Sequence, residues 1–294
     1  MAIRIAPLHP LFAAEVGGLD LSLRFGASAP FGEAAARALR EALRAHRLLV
    51  FRDQRLTPAE QVAFTRAFGA PELHAVAGLR SPGLPEIVLE ADRANGHEGF
   101  GLGDLRWHAD LSWTPRPNRV SALHARALPP AGDGATLFAD QCAAFDRLDP
   151  WLAYRAQFLE AERDPALRFV DVGAGPVGGA SPPPVSHPVV RVDPETGRRG
   201  LFVDEDTTTR LLGVPEPEGT KLLQRLRAAA TDPAVTYRHA WRLGDLVVWD
   251  NHAVLHRAEP RVAGQGWRMR RTMVAAAGRL YGPAAVAQPW VVAG

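Results

Sequence analysis

Cysteine is almost absent, with Cys142 the single example in 294 residues. One thiol cannot close an intrachain disulfide or build a thiolate zinc site of the finger type, so neither device holds this chain together. Its scarcity agrees with a reducing, cytoplasmic setting. Lysine is equally rare: Lys221 stands alone, and arginine supplies the rest of the 34 basic residues against 32 acidic ones. That bias reads as compositional. The formal charge of +2 is made of both signs interspersed along the chain, which leaves no basic face for nucleic acid or an anionic membrane. No uninterrupted apolar run approaches the roughly 18 residues of a membrane span. The opening "MAIRIAPLHPLF" lacks the basic segment and apolar stretch of a secretory signal. The expectation is a soluble, unprocessed protein.

What is present suffices for a large core. Hydrophobic residues make up 47% of the chain, and with neither an internal repeat nor an interdomain linker, residues 1–294 read as a single domain. "EAAARALREALRAHR" places leucine and alanine at helical spacing and runs into the apolar strand "LLVFRD". "TPAEQVAFTRAFG" carries a capping box, with Thr57 as N-cap, Pro58 in the first helical position, Glu60 reaching back and Gly69 as the stop. From about Pro85 the texture changes to short apolar runs: "EIVLEA", "VSALHAR", "ATLFAD", "HPVVRV", "GLFVD", "AVTYRHAW", "DLVVWDN" and "MRRTMVAAA". Gly, Pro and Asp separate them, the pattern of a sandwich or barrel. Two helical inserts interrupt the series, Asp140 to about Gln157 and about Glu218 to Ala230. The stretch "VGAGPVGGASPPPVS", 172–186, is too rich in Pro and Gly for a regular element and reads as an active-site lid. "HPVVRVDPETGRRGLFV" reads as a hairpin turned by Asp193, Pro194 and Gly197, and Asp245 as a turn residue.

The residues that carry chemistry begin in "RWHADLSW". On a strand, residues i and i+2 share a face, so His108 and Asp110 would converge while Ala109 points away. By itself His-x-Asp more often marks a core histidine bonded to a neighbouring carboxylate. "GDLVVWDNHAVLHRAEP" adds His252 and His256. A histidine from that run would complete two imidazoles and one carboxylate on one face of a metal, leaving three positions open, as in non-haem Fe(II) oxygenases. Zinc accepts such ligands too, but a hydrolytic zinc site also needs a general base, which no segment supplies.

These segments together resemble the TauD/TfdA-type Fe(II)/2-oxoglutarate-dependent dioxygenases, the taurine dioxygenase family. The resemblance runs from about Pro7 to about Gly278 and rests on "WHADLSW", "GDGATLFAD", "HPVVRVDPETGRRGLFVDEDTTTRLLG", "GDLVVWDNHAVLHRAEP" and "RMRRTMVAAAG". It implies a mainly β fold with flanking helices around a double-stranded β-helix core, a jelly roll of cupin-like form. It implies Fe(II) and 2-oxoglutarate as cofactors and O2 as co-substrate, with His108, Asp110 and His256 as metal ligands and catalytic residues. His256 is preferred to His252 because the family's ligand follows the "WDN" run by several residues. Thr136 falls where the family uses a hydroxyl on the distal carboxylate of 2-oxoglutarate. Two arginines four apart follow in the family, the first for 2-oxoglutarate and the second, in sulfonate users, for the substrate anion. Placing Arg271 second leaves Trp267 at the first position, a departure from that pattern. One extra loop residue puts Arg268 first instead, with Thr272 at the anion position. Alternation puts Arg268 and Arg270 on one face and Arg271 on the other. The expectation is Arg268 for the cofactor, with Arg271 as its rival or a substrate-anion contact.

For the substrate walls, the resemblance singles out His74, Trp113 and Thr207. "DTTTR" stands where taurine-type members carry an aromatic side chain, which points away from a small alkyl sulfonate. The implied reaction is oxidation, foremost hydroxylation, of a small molecule, anionic ones included, with release of succinate and CO2. Desaturation, epoxidation and loss of a heteroatom group are the nearest alternatives. Asp110 argues against halogenation, because halogenating relatives lack that carboxylate. A non-catalytic jelly-roll binding module and a zinc hydrolase are the competing classes, and self-association into a homo-oligomer is left open.

Overall fold

The β-branched and aromatic runs of the sequence form the strands, and the layers they build decide which side chains look inward. The structure, a computed structural model, describes residues 3–22, 32–75, 77–91, 106–129, 134–166, 181–260, 266–278, 280 and 282–283. The N-terminal part holds β1 (Arg4–Pro7), β2 (Ala14–Gly17), α1 (Gly32–His46), β3 (Leu48–Phe51), α2 (Pro58–Thr65) and β4 (Pro71–Glu72). Next come β5 (Arg80–Ser81), β6 (Leu84–Ala91), β7 (Val120–Ala127), β8 (Ala135–Asp140), α3 (Gln141–Asp146) and α4 (Pro150–Ala156). They are followed by β9 (Glu160–Arg163), β10 (Val185–Pro188), β11 (Val190–Val192), β12 (Arg199–Leu201), β13 (Thr208–Leu211) and α5 (Glu218–Ala230). The last strands are β14 (Thr236–Ala240), β15 (Leu246–Asp250), β16 (Val254–Ala258) and β17 (Arg268–Val274).

A large sheet runs in the order β1-β2-β3-β15-β7-β17-β6-β5, with β4 paired to β17, and a smaller one in the order β14-β8-β16. Their inner faces meet in one cluster that takes Val50 from β3, Leu123 from β7, Phe138 from β8, Trp249 from β15 and Met269 from β17. This is the jelly-roll core. Strand β15 is buried along its whole length: Val247 and Trp249 face the jelly-roll interior, while Leu246 and Val248 pack with Leu39 and Leu43 of α1 and Phe64 of α2. A strand covered on both sides reads as the continuous apolar run "LVVW" rather than as an alternating one. On the outer side of the small sheet, Ala139 and Leu255 pack with Phe145, Leu152, Leu222 and Leu226 of α3, α4 and α5. The neighbours in β8 and β16, Phe138 and His256, therefore point inward.

Several local expectations change in detail. The predicted helix from Asp140 to Gln157 is two helices, because Asp149 caps α4 through its side chain (Leu152 N to Oδ1, 3.0 Å) and Pro150 begins it. Proline has no N–H with which to continue α3. Helix α2 ends at Thr65, ahead of Gly69, and Gly69 serves a different end: a Cβ there would lie 2.7 Å from Val274 Cγ1, so only glycine lets this turn approach β17. The hairpin is present, with Arg191 opposite Gly200 and Val192 opposite Arg199 in β11 and β12. Of the lid expected over 172–186, residues 172–180 lie outside the described residues, while Val185 and Ser186 already belong to β10. No helix among the described residues is long and apolar enough to cross a membrane.

The capping box at α2 is complete: Glu60 N donates to Thr57 Oγ1 (3.3 Å) and Thr57 N to Glu60 Oε2 (2.7 Å). Thr57→Ala is expected to lower stability by about 1 kcal/mol, seen in urea unfolding as a lower midpoint at unchanged slope. An unchanged midpoint would remove the cap from the account of α2.

Candidate metal centre

His108 and His256 meet through their backbones. His108 N donates to His256 O (2.9 Å) and His256 N to His108 O (2.8 Å), an antiparallel bridge outside the named strands. Residues paired in this way carry their side chains on the same face, and the two ring centroids are 4.2 Å apart. The inner faces of Phe138 and Trp249 surround the His256 ring at centroid distances of 6.0 and 4.8 Å.

Asp110 reaches the pair by a turn, a departure from the strand geometry expected of His-x-Asp. After the single bridge at His108 the chain folds back, with Ser112 N bonded to Ala109 O (3.3 Å) and Thr114 N to Leu111 O (2.9 Å). Leu111 takes a left-handed conformation (φ 51°), which costs a non-glycine residue on the order of 1–3 kcal/mol. Neighbouring contacts hold the turn. Glu205 N donates to Trp107 O (3.0 Å), Trp107 N to Glu205 Oε2 (3.2 Å), and Ser112 Oγ to Asp204 Oδ2 (2.8 Å). Asp204 is in turn ion-paired with Arg163, both fully enclosed.

The result brings Asp110 Oδ1 to 3.9 Å from His108 Nε2 and 3.6 Å from His256 Nε2. One ligand atom from each residue lies within 4.8 Å of the others. His108 donates through Nδ1 to Arg106 O (2.8 Å), so its Nε2 is the nitrogen with the lone pair. Burial, and after it the proximity of His108, pushes His256 down to about 4; at neutral pH it is uncharged and able to ligate. Both its ring nitrogens are buried and neither has a hydrogen-bond partner among the described residues. Burial alone would raise the Asp110 carboxyl, but Arg271 and then His256 hold it well below the usual carboxylate range. Two imidazoles, one carboxylate and a buried nitrogen of His256 without a partner among the described residues are the donor set that suits a divalent iron.

A hydrogen-bonded frame holds the carboxylate. Asp110 Oδ2 accepts from Ser121 Oγ (2.6 Å), and Asp110 N donates to Asn251 Oδ1 (3.2 Å). Asn251 also accepts from Trp249 Nε1 (2.9 Å) and donates to Ser121 Oγ (2.8 Å), to which Asn118 Nδ2 adds a further bond (3.1 Å). The sequence reading passed over Ser121, Asn118 and Asn251. Asn251 was visible in "WDN", yet nothing there says that its side chain turns back to the ligand loop.

The remaining expected site residues divide. Arg271 points inward from β17, bonded to Asp110 Oδ1 and with its guanidinium 5.5 Å from the Trp249 ring centroid. Arg268 is exposed at the start of β17, so the structure does not bring the expected cofactor arginine to the ligands. Arg270 lies on the outer face, bonded to Gln61 Oε1 (2.7 Å) and Leu56 O (2.6 Å). Thr136 shares the inner face of β8 with Phe138. Its oxygen accepts from Trp241 Nε1 (2.9 Å), which leaves the hydroxyl proton to donate. Trp113 is buried against Leu111, Val88 and Met273, just beyond Asp110. His74 is buried, with its carbonyl accepting from Arg80 Nε (2.8 Å). Thr207 is fully buried, and its hydroxyl is bonded to Asp204 and Ser112, among the contacts that brace the ligand turn. His252 turns away from the ligands to Pro117 O (3.1 Å). Asp245 shapes its turn, accepting from Arg242 N (2.8 Å).

The description "Taurine catabolism dioxygenase TauD, TfdA family" matches residues 4–273. The chain belongs to this family. It is a 2-oxoglutarate-dependent dioxygenase, and its cofactors are Fe(II) and 2-oxoglutarate. The alpha-ketoglutarate-dependent 2,4-dichlorophenoxyacetate dioxygenase of Cupriavidus pinatubonensis is 35% identical over 273 residues, covering 87% of this chain and 92% of the relative. The (S)-phenoxypropionate/alpha-ketoglutarate-dioxygenase of Sphingobium herbicidovorans is 33% identical over 270 residues, covering 88% and 90%. The crystal structure of AAD-2 in complex with Mn(II) and N-oxalylglycine superposes with a TM-score of 0.76 at 29% identity, over 95% of this chain and all of that one (100%).

Because Asn251 orients the carboxylate through both its backbone and Ser121, Asn251→Ala is expected to weaken Mn(II) binding about 10–100-fold while near-ultraviolet circular dichroism stays native. Wild-type affinity in an isothermal titration would remove Asn251 from the frame.

Proposed function

We propose that this dioxygenase hydroxylates a small organic carboxylate with an apolar body, of the aryloxyalkanoic class on which the two relatives above are named to act. The observation that carries the reading is the convergence of His108, Asp110 and His256 beside one inward guanidinium, Arg271. Fe(II) and 2-oxoglutarate, when bound, supply an oxidant made from O2, with succinate and CO2 as by-products. The chain's own part is to ligate, orient and exclude water.

In this reading His108 Nε2, Asp110 Oδ1 and His256 Nε2 hold the iron. Arg271 grips a carboxylate of 2-oxoglutarate, a task suited to a fork of donors whose charge is permanent. Arg271 already neutralises Asp110 Oδ1, so a divalent cation at that oxygen would release the guanidinium for the incoming carboxylate. Thr136 donates its hydroxyl proton to the distal carboxylate, with Trp241 fixing the rotor. Trp113, Leu111 and Met273 offer an apolar wall beside the ligand turn, and His74 remains the candidate for the substrate's anion. The single thiol, Cys142, is buried and fits a one-domain enzyme of the reducing cytoplasm.

The class is tested by succinate release from anaerobically iron-loaded protein given 2-oxoglutarate, oxygen and a panel of aryloxyalkanoic acids, amino acids and taurine. Stimulation by an aryloxy acid and none by taurine is expected; stimulation by taurine alone would overturn the substrate class. His256→Ala should abolish that stimulation with the fold intact, and turnover at the wild-type rate would refute the ligand set. The choice between arginines has its own test. Arg271→Gln is expected to weaken 2-oxoglutarate binding about 10–100-fold, whereas Arg268→Gln leaves it within about twofold. The opposite pattern would restore Arg268 as the cofactor arginine.

A further inference from the structure

A cleft of about 870 Å³ opens between the end of α1, the turn after α2, the end of β17 and the β11–β12 hairpin. None of its lining residues is an iron ligand or one of the side chains that hold Asp110. Four guanidinium groups line it, from Arg40, Arg44, Arg119 and Arg191. Three of them are matched by carboxylates: Arg40 by Glu33, Arg44 by Glu195, and Arg119 by Asp193 (2.8 Å) and Asp250 (2.9 Å).

Arg191 differs. It is only 2% exposed, and among the described residues its Nε has no hydrogen-bond partner and its one bond is from Nη2 to Cys142 Sγ at 3.8 Å. That thiol brings no negative charge, since burial raises it to about 11. Across the hairpin stands Gly200, where a Cβ would lie 3.3 Å from Arg191 Nη2 and 3.3 Å from Cys142 Sγ. The absence of a side chain at 200 is what gives the guanidinium its room. A guanidinium stays charged in a protein, and burying that charge with no carboxylate in ion-pair contact is unfavourable; Asp250, which lines the same cleft, is already paired with Arg119. The rest of the wall combines Glu195, Asp250 and His252 with an apolar stretch that includes Leu43, Phe68, Val192 and Val274.

We propose that this cleft is a second ligand site, distinct from the iron centre, which binds an amphipathic monocarboxylate: the acid group on Arg191, the hydrocarbon body along the apolar wall. A planar carboxylate matches the guanidinium fork, and an open cleft with apolar walls and a few convergent polar groups is the usual form of a small-molecule site.

Octanoate is the probe, titrated by calorimetry into full-length protein already saturated with Mn(II) and 2-oxoglutarate, so that the metal and cofactor positions are filled. One equivalent should bind, weakened at least tenfold by Arg191→Met and left unchanged by His74→Ala, which reports on the substrate space of the iron centre, while Mn(II) affinity stays at the wild-type value. Should the methionine variant fail to fold, Arg191→Lys serves instead; it keeps the charge without the fork, and at least a threefold loss is expected. The proposal is overturned by absence of octanoate binding, by wild-type affinity in the folded Arg191 variant, or by a loss that follows His74→Ala instead. Inorganic phosphate that competes as strongly as octanoate would overturn the amphipathic class, because charge alone would then account for binding.

Discussion

Two backbone hydrogen bonds between His108 and His256 are the constraint on which the centre depends. They are ordinary amide bonds, but they join a loop residue to a strand of the small sheet in a register that puts both imidazoles on the same inward face. A slip of one residue would send one ring to the opposite side, among Leu255 and the helices. The register of β16 on β8, with His256 opposite Phe138 and Ala258 opposite Thr136, extends the same alignment to the residue proposed for the cofactor's distal end. Packing and the convergence of the candidate ligands thus draw on one set of strand pairings.

Charge is handled in two distinct ways. Around Asp110 the carboxylate is compensated by Arg271 and hydrogen-bonded through Ser121, so a buried ionised group is tolerated at the one place where the chemistry requires it. Farther out, Asp204 and Arg163 neutralise each other within a shell of threonine and serine hydroxyls. That second pair lies outside the His108, Asp110 and His256 set; through Ser112 it is bonded to the turn in which Leu111 takes its left-handed conformation. Precise placement of the first carboxylate therefore rests on the second.

Much of this was legible in the residues. The strands, the hairpin and the α2 cap follow from local periodicity and turn chemistry, and the ligand types were visible as His-x-Asp plus a later histidine. What could not be read was long-range. Alternation separates Arg271 from Arg268 and Arg270, but which of the two faces is the interior depends on β7 and β6 lying beside β17, with an irregularity in the pairing at Arg268 and Met269. Thr207 was assigned to the substrate because "DTTTR" occupies a family position; the buried pair that claims its hydroxyl spans residues distant in sequence. Asp149 and Pro150 did signal a helix break locally, and the apolar spacing on either side obscured it.

The bond from Ser121 to Asp110 Oδ2 has a consequence for the metal. With one lone pair of that oxygen engaged by a hydroxyl, Asp110 would more readily offer a bound iron its other oxygen. A chelating carboxylate would consume an extra coordination position. By competing for one lone-pair direction, a small serine would favour the binding mode that leaves room for an incoming molecule.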